Sequence, residues 1–274
     1  MPRVVRRSDG GDVAIAYELR TDAGPDAPWV VLVHGLGYAR WGWEPVTASL
    51  AERYRLVLLD NRGIGESDAP PGPYTTAELA GDVAAVLDDA GVDRAVLVAT
   101  SLGGMVAQEF AIGHPDRLDA LVLVCTTPGG DLAFPFPEQT QRLLAELPDL
   151  DPREGLERAV RNALSRRAPD ELVERIMAHR LVAPPDPVGW QAQAAAAGAH
   201  DAGDRLHLIT VPTLVVHGTE DVVVDPRNAD VLAEHLPAAA LVRIEGAGHL
   251  LFWEQPAEFL RHLEDFLTQH GGNP

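Results

Sequence analysis

Three side chains of complementary chemistry each stand shortly after an apolar run. Ser101 lies in Ala99-Thr100-Ser101-Leu102-Gly103, Asp221 in His217-Gly218-Thr219-Glu220-Asp221, and His249 in Glu245-Gly246-Ala247-Gly248-His249. A serine hydroxyl is a weak nucleophile until a neighbouring base takes its proton. An imidazole can be that base, and a carboxylate on its far nitrogen holds the right tautomer and stabilises the charged ring. Together the three groups can attack a carbonyl carbon. The apolar run 95–98 leads into Ser101 and a helix-like run, 104–110, leads out. A serine on such a sharp strand-to-helix turn is lifted out of the fold. The small residues Ala99 and Gly103 let strand and helix approach there. Taken alone, a serine before two glycines also reads as a helix cap.

Attack on a carbonyl puts negative charge on its oxygen, which needs two N–H donors. One is the N–H of Leu102, next after the serine and at the positive end of the following helix. The other comes from His34-Gly35-Leu36-Gly37, after the strand at 29–33, through Leu36. The same tetrapeptide also fits an ordinary tight turn. Asp225 and Glu220 share a loop with Asp221 and are its rivals; Asp221 lies nearer the strand end than Asp225, and the longer glutamate side chain would need a different loop. Asp60, beside Arg62, reads as a residue that holds its own loop. His34, His114, His179, His200 and His262 read as surface, core or positional residues.

The elements that must position these groups follow from hydrophobic period. Runs at 13–19, 29–33, 55–59, 95–98, 121–124 (within 118–124), 213–216 and 241–244 read as strands, most of them buried on both faces. A turn is expected over Asp9-Gly10-Gly11-Asp12. Helical segments fall at 43–52, after the capping box Thr75-Thr76-Ala77-Glu78, and at 226–236. In the second of these Leu79, Val83, Val86 and Leu87 share a face and Gly91 closes the helix. A last helix opens at Gln255-Pro256 and turns Phe259, Leu260, Leu263, Phe266 and Leu267 inward. Strand and helix alternate from 29 to 124, which predicts an α/β fold with a parallel sheet and helices on both faces. In such a sheet the strand ends share one edge, so Ser101, Asp221 and His249 should meet there. From 126 to 205 no strand is expected, and helical period recurs at 138–147, 152–167, 170–181 and 188–199. The expected organisation is a core of residues 1–125 and 206–274, with a helical insertion over 126–205.

Composition narrows the classes. The 274 residues are 46% hydrophobic, enough for a large core. The formal net charge of −19 argues against nucleic acid and anionic membrane surfaces, which need basic patches. Cys125 is the only cysteine, reads as a small core residue, and demands no oxidising compartment. Met1-Pro2-Arg3-Val4-Val5-Arg6-Arg7 is basic but lacks the apolar stretch of a signal peptide, so a cytoplasmic protein is expected. No paired cysteines or His-Glu-x-x-His motif suggests a metal.

Five motifs now stand in order: His-Gly-Leu-Gly at 34–37, Asp-Asn-Arg-Gly-Ile-Gly-Glu-Ser at 60–67, Thr-Ser-Leu-Gly-Gly-Met at 100–105, Gly-Thr-Glu-Asp at 218–221 and Gly-Ala-Gly-His at 246–249. Over nearly the whole chain this set resembles the α/β-hydrolase superfamily. The resemblance implies a mostly parallel eight-stranded sheet, a helical cap and no cofactor. It also implies Ser101 as nucleophile, His249 as base, Asp221 as acid, and Leu36 and Leu102 as oxyanion donors. Ala99 departs from the glycine usual at that position. Pro70-Pro71-Gly72-Pro73-Tyr74 and Gly189-Trp190-Gln191-Ala192-Gln193 are similar to stretches of the 3-oxoadipate enol-lactonase and small-esterase branch. Serine as nucleophile argues against the dehalogenase and epoxide-hydrolase branches, which use aspartate.

The expected reaction is hydrolysis of a small or medium carboxylic ester or lactone through an acyl-enzyme. Carbon–carbon bond hydrolysis, perhydrolysis, a biosynthetic lyase or cyclase step, or ligand binding without catalysis are the alternatives on the same scaffold. Phe134, Phe136 and Trp190, with Trp41, Trp43 and Trp253, are candidates to line an apolar pocket; Trp43 and Trp190 are taken as the substrate contacts.

Overall fold

Strands rich in Val and Leu on both faces must be covered on both sides, and in the computed structural model they are. It describes residues 1–7 and 11–271, so the turn expected over Asp9–Asp12 lies partly outside the described residues. One eight-stranded sheet has the order β1-β2-β4-β3-β5-β6-β7-β8. Its strands are β1 (Arg3–Arg6), β2 (Val13–Arg20), β3 (Trp29–Val33), β4 (Arg55–Leu59), β5 (Ala95–Thr100), β6 (Leu118–Val124), β7 (Thr213–Gly218) and β8 (Ala239–Ile244). Both pairings of β2 are antiparallel; the other five are parallel.

The helices are α1 (Glu44–Ala51), α2 (Thr76–Asp89), α3 (Leu102–Gly113), α4 (Glu138–Glu146), α5 (Pro152–Asn162), α6 (Asp170–Val182), α7 (Pro187–Gly198), α8 (Arg227–His235), α9 (Leu251–Glu254) and α10 (Pro256–His270). Side chains of β5 alternate between two apolar clusters. Ala95, Leu97 and Ala99 join Leu79 and Val83 of α2 and Val106 and Phe110 of α3. Val96 and Val98 join Val46 and Leu50 of α1 and Phe259 and Leu263 of α10. The period of two therefore glues a helical layer to each face.

Local signals explain most boundaries. Thr75 Oγ1 accepts from the Glu78 N–H at 3.0 Å, and the Glu78 carboxylate accepts from the Thr75 N–H at 2.9 Å, so α2 starts on a full capping box. β1 is a four-residue edge strand whose alternate residues stay exposed, too short to show in hydrophobic period. The helix expected over 152–167 stops at Asn162. The chain leaves the helix there to hold the segment around His249: the Ala163 carbonyl accepts from Leu250 N–H at 2.9 Å. The Ser165 N–H donates to Glu254, whose carboxylate also accepts from Gly248 N–H at 2.8 Å. A longer helix would have turned those groups onto itself. Among the described residues no helix is long and apolar enough to cross a membrane.

Gly103 is where strand, loop and helix come closest. A Cβ built there would lie 2.4 Å from the Val33 carbonyl oxygen and 2.8 Å from that of His34. Gly103→Ala must push backbone apart, an overpacking cost of about 1–3 kcal/mol. For a chain of this size the melting temperature should fall by roughly 2–4 °C per kcal/mol. An unchanged thermal midpoint would contradict this packing.

Candidate active site

Ser101 sits between the last residue of β5 and the first of α3, with φ 57° and ψ −123°. Non-glycine residues avoid this region, and it persists only where surrounding contacts over-determine it. Those contacts are present. The Ser101 N–H donates to Val124 O at 2.9 Å, and its carbonyl accepts from Thr126 Oγ1 at 2.7 Å and Met105 N–H at 3.2 Å. Gly35 leaves room opposite, since a Cβ there would lie 2.7 Å from the Ser101 Cβ. Ala99, in place of the usual glycine, is fully buried in β5 and is accommodated without loss of the turn.

The imidazole and the carboxylate meet at the same sheet edge. His249 Nδ1–H donates to Asp221 Oδ2 at 2.8 Å, which leaves Nε2 as the atom free to take a proton. Asp221 is fully enclosed. Its Oδ1 accepts from the N–H groups of Val223 and Val224 at 2.8 and 3.0 Å, and its Oδ2 also lies 3.0 Å from His217 Nε2. Burial opposes ionisation here. The His249 charge and the hydrogen bonds from His217 and His249 outweigh it and hold the carboxyl well below the usual carboxylate range. The rivals lie elsewhere: Asp225 is bidentate with Arg227, and Glu220 lines a separate surface cleft. His217, four residues before Asp221 at the end of β7, is the partner that sequence reasoning passed over. The i, i+4 spacing was its only signal.

Ser101 and His249 line one cavity of about 250 Å³, together with Leu36, Leu102 and Trp190. They make no direct hydrogen bond, and such contacts commonly tighten only around bound substrate. Among the described residues the N–H groups of Leu36 and Leu102 have no hydrogen-bond acceptor. The residues beside Leu36 are held in place. Gly37 N–H donates to Gln193 Oε1 of α7 at 3.2 Å, and Gly37 O accepts from the Arg180 guanidinium of α6. Gln193 Nε2 also donates to Arg62 O at 2.7 Å, so one buried amide joins the loops after β3 and β4.

The aromatic candidates divide. Trp190 and Phe136 line the cavity. Trp43 does not, which corrects its assignment as a substrate contact: it is fully buried, stacked on Phe252 with ring centroids 4.6 Å apart and edge-on to His34. Its large ring serves the second apolar cluster instead. Trp41 and Trp253 pack around His179, and Phe134 lies under Arg227. His34 is buried against the cavity, its Nδ1 accepting from Gly35 N–H at 2.7 Å. Burial first, then the charges of His249 and Arg180, push its pKa down to about 3, so it stays neutral. Asp60 holds its own loop through the N–H groups of Arg40 and Glu66 and the Arg40 guanidinium, while Arg62 pairs with Asp82. A wider groove of about 500 Å³, lined by Glu18, Arg40, Trp41, Asp60 and Glu66, includes none of Ser101, Asp221, His249, Leu36 and Leu102.

Cys125 is buried behind Asp221 with its thiol pushed up by burial. Cys125, His217 and Asp221 form the one cluster of potential metal-ligating groups among the described residues. Four N–H donors already occupy the Asp221 oxygens, so the cluster fits a hydrogen-bonded carboxylate better than a metal site.

A strained serine at a strand-to-helix turn, facing an imidazole–carboxylate pair on a parallel sheet, defines an α/β-hydrolase arrangement. The family model for the alpha/beta hydrolase fold matches residues 28–256, and the chain belongs to that family. It is 32% identical over 256 residues to a pimeloyl-[acyl-carrier protein] methyl ester esterase of Aeromonas hydrophila, covering 90% of this chain and 97% of that one. It is 33% identical over 258 residues to a 2-hydroxy-6-oxononadienedioate/2-hydroxy-6-oxononatrienedioate hydrolase of Cupriavidus pinatubonensis, covering 90% and 89%. The solved enol-lactonase of Burkholderia xenovorans superposes with a TM-score of 0.82 at 28% identity, over 96% of this chain and 99% of that one. The chain is a hydrolase of this family, and the proteins it is similar to include an esterase, an enol-lactonase and a dienedioate/trienedioate hydrolase.

The Asp221 carboxyl titrates lower in the folded chain than in the unfolded one. Such a group contributes stability above the unfolded pKa of about 3.9, and loses it as pH falls through the folded value. The gap in melting temperature between wild type and Asp221→Asn should therefore be full at pH 7 and narrow below about pH 4. A gap independent of pH, measured by calorimetry from pH 3 to 8, would refute the assignment of the low pKa.

Proposed function

We propose that this chain is a serine hydrolase of small or medium carboxylic esters or lactones. The observation that carries the reading is the His249–Asp221 hydrogen bond of 2.8 Å beside a cavity shared with the strained Ser101. His249 Nε2 takes the Ser101 proton as Oγ bonds to the carbonyl carbon. The oxyanion accepts from the Leu36 and Leu102 N–H groups. Collapse releases the alcohol, which takes the proton from His249, and leaves an acyl-serine. His249 then deprotonates water as its oxygen bonds to the acyl carbon, and returns that proton to Ser101 Oγ as the bond to the serine breaks and the acid is released. Losing one oxyanion donor typically costs about 100- to 1,000-fold in turnover. No step needs a cofactor.

Residues 126–205 act in this reading as a cap on a core of residues 1–125 and 206–274. Phe136, Leu143, Val160 and Trp190 from that segment line the cavity and support the role. The substrate is a small molecule; the net charge of −19 disfavours nucleic acid and membrane surfaces. A lone buried cysteine is consistent with a cytoplasmic setting.

A second reading keeps the same residues for carbon–carbon bond hydrolysis, favoured by the 33% identity to the dienedioate hydrolase. A fluorophosphonate should label Ser101, and p-nitrophenyl acetate and butyrate should be cleaved. Ser101→Ala should abolish labelling and lower turnover by at least about 1,000-fold. Labelling without ester cleavage would hand the lead to the carbon–carbon reading. Absence of labelling in folded protein would leave a ligand-binding role.

A further inference from the structure

Two arginines are buried among the described residues, and they are treated differently. Arg62 is bidentate with Asp82 at 2.6 Å on both arms. Arg180, on the last turn of α6, is 8% exposed and lines the catalytic cavity. No carboxylate lies within ion-pair distance of it among the described residues. One arm donates to Gly37 O, and the guanidinium lies 4.7 Å from the Tyr38 ring centroid. Its Nε is buried with no hydrogen-bond partner. A carbonyl dipole and a ring face offset part of the cost of burying the charge, but neither neutralises it.

The surroundings repeat the pattern. The chain carries 41 acidic residues against 22 Lys and Arg, yet no Asp or Glu lines this cavity. Arg180 is the sole arginine or lysine among its lining residues. The rest is mainly apolar, from Leu36, Met105, Leu143, Val160, Val224 and Leu250. A planar guanidinium with unused N–H groups matches a carboxylate in a two-point geometry that no neutral group reproduces.

Resting on the serine-hydrolase reading, we infer that the substrate is an anionic ester or lactone whose free carboxylate pairs with Arg180 while Ser101 attacks its carbonyl. The cavity volume of about 250 Å³ suits a short chain between the two groups. Because Arg180 also holds Gly37, next to the Leu36 N–H, the bound carboxylate sits beside the oxyanion loop.

The test compares mono-p-nitrophenyl glutarate with p-nitrophenyl valerate, which match in length and differ by the carboxylate. Wild type should favour the anionic ester by at least about 10-fold in kcat/KM. Arg180→Met should lower that preference by at least about 10-fold, mainly through KM, and Arg180→Lys should fall between. Equal loss on both esters would reduce Arg180 to a positioning residue for Gly37 and overturn the inference. So would a wild-type preference for valerate. Calorimetric titration of monomethyl glutarate into Ser101→Ala protein reads the subsite without turnover, separately from the hydrolase reading. Arg180→Met in that background should weaken binding at least 10-fold; equal affinity would overturn the inference even if Ser101 labels normally. Thermal melts of each variant establish that the comparison is between folded proteins.

Discussion

A serine held at φ 57° is the constraint on which the site depends. A chain does not choose that conformation locally; it costs on the order of 1–3 kcal/mol and must be imposed. β5 imposes it from one side through its parallel neighbours β3 and β6. α3 imposes it from the other, seated so closely that only glycine fits at position 103. The Thr126 hydroxyl on the Ser101 carbonyl closes the turn. The buried apolar clusters on both faces of the sheet supply the stability that this local strain consumes.

The helical segment between β6 and β7 is tied to the loops around the site. Gln193 and Arg180 reach from α7 and α6 to both polar groups of Gly37. Gly189 packs against the Gly63 backbone, where a Cβ on Gly189 would lie 2.3 Å from the Gly63 oxygen. Ala163 and Ser165, just past α5, hold the segment around His249. Helices inserted in the middle of the chain therefore brace the loop carrying Leu36 and the loop carrying His249. Side-chain bonds from Gln193 and Arg180, and the backbone groups of Ala163 and Ser165, do this without placing an acidic side chain in the cavity.

Much of this was legible beforehand, for physical reasons. Strands buried on both faces must be continuous apolar runs, so β3 and β4 stand at the predicted residues. The capping box of α2 is a local hydrogen-bond pattern and needs no tertiary context. β1 escaped because an edge strand buries too little to show a period. α5 was overextended because its helical pattern continues past the point where His249 and Glu254 recruit the chain. Trp43 was misassigned because an aromatic near a strand end looks alike whether it faces a cavity or, as here, Phe252.

The amino-acid sequence by itself determined the alternation of strands and helices, the helical segment that interrupts it, and the identity of the candidate serine, histidine and aspartate. These follow from local period, turn chemistry and chain order at the ends of parallel strands. Tertiary structure alone decided which partners those residues acquired. His217 behind Asp221, Gln193 and Arg180 on Gly37, and Arg180 without a carboxylate are long-range or geometric facts. A pattern along the chain reports which face is buried. It does not report which buried polar atom meets which, because that depends on the packing of segments more than a hundred residues apart, as Gly37 and Gln193 are.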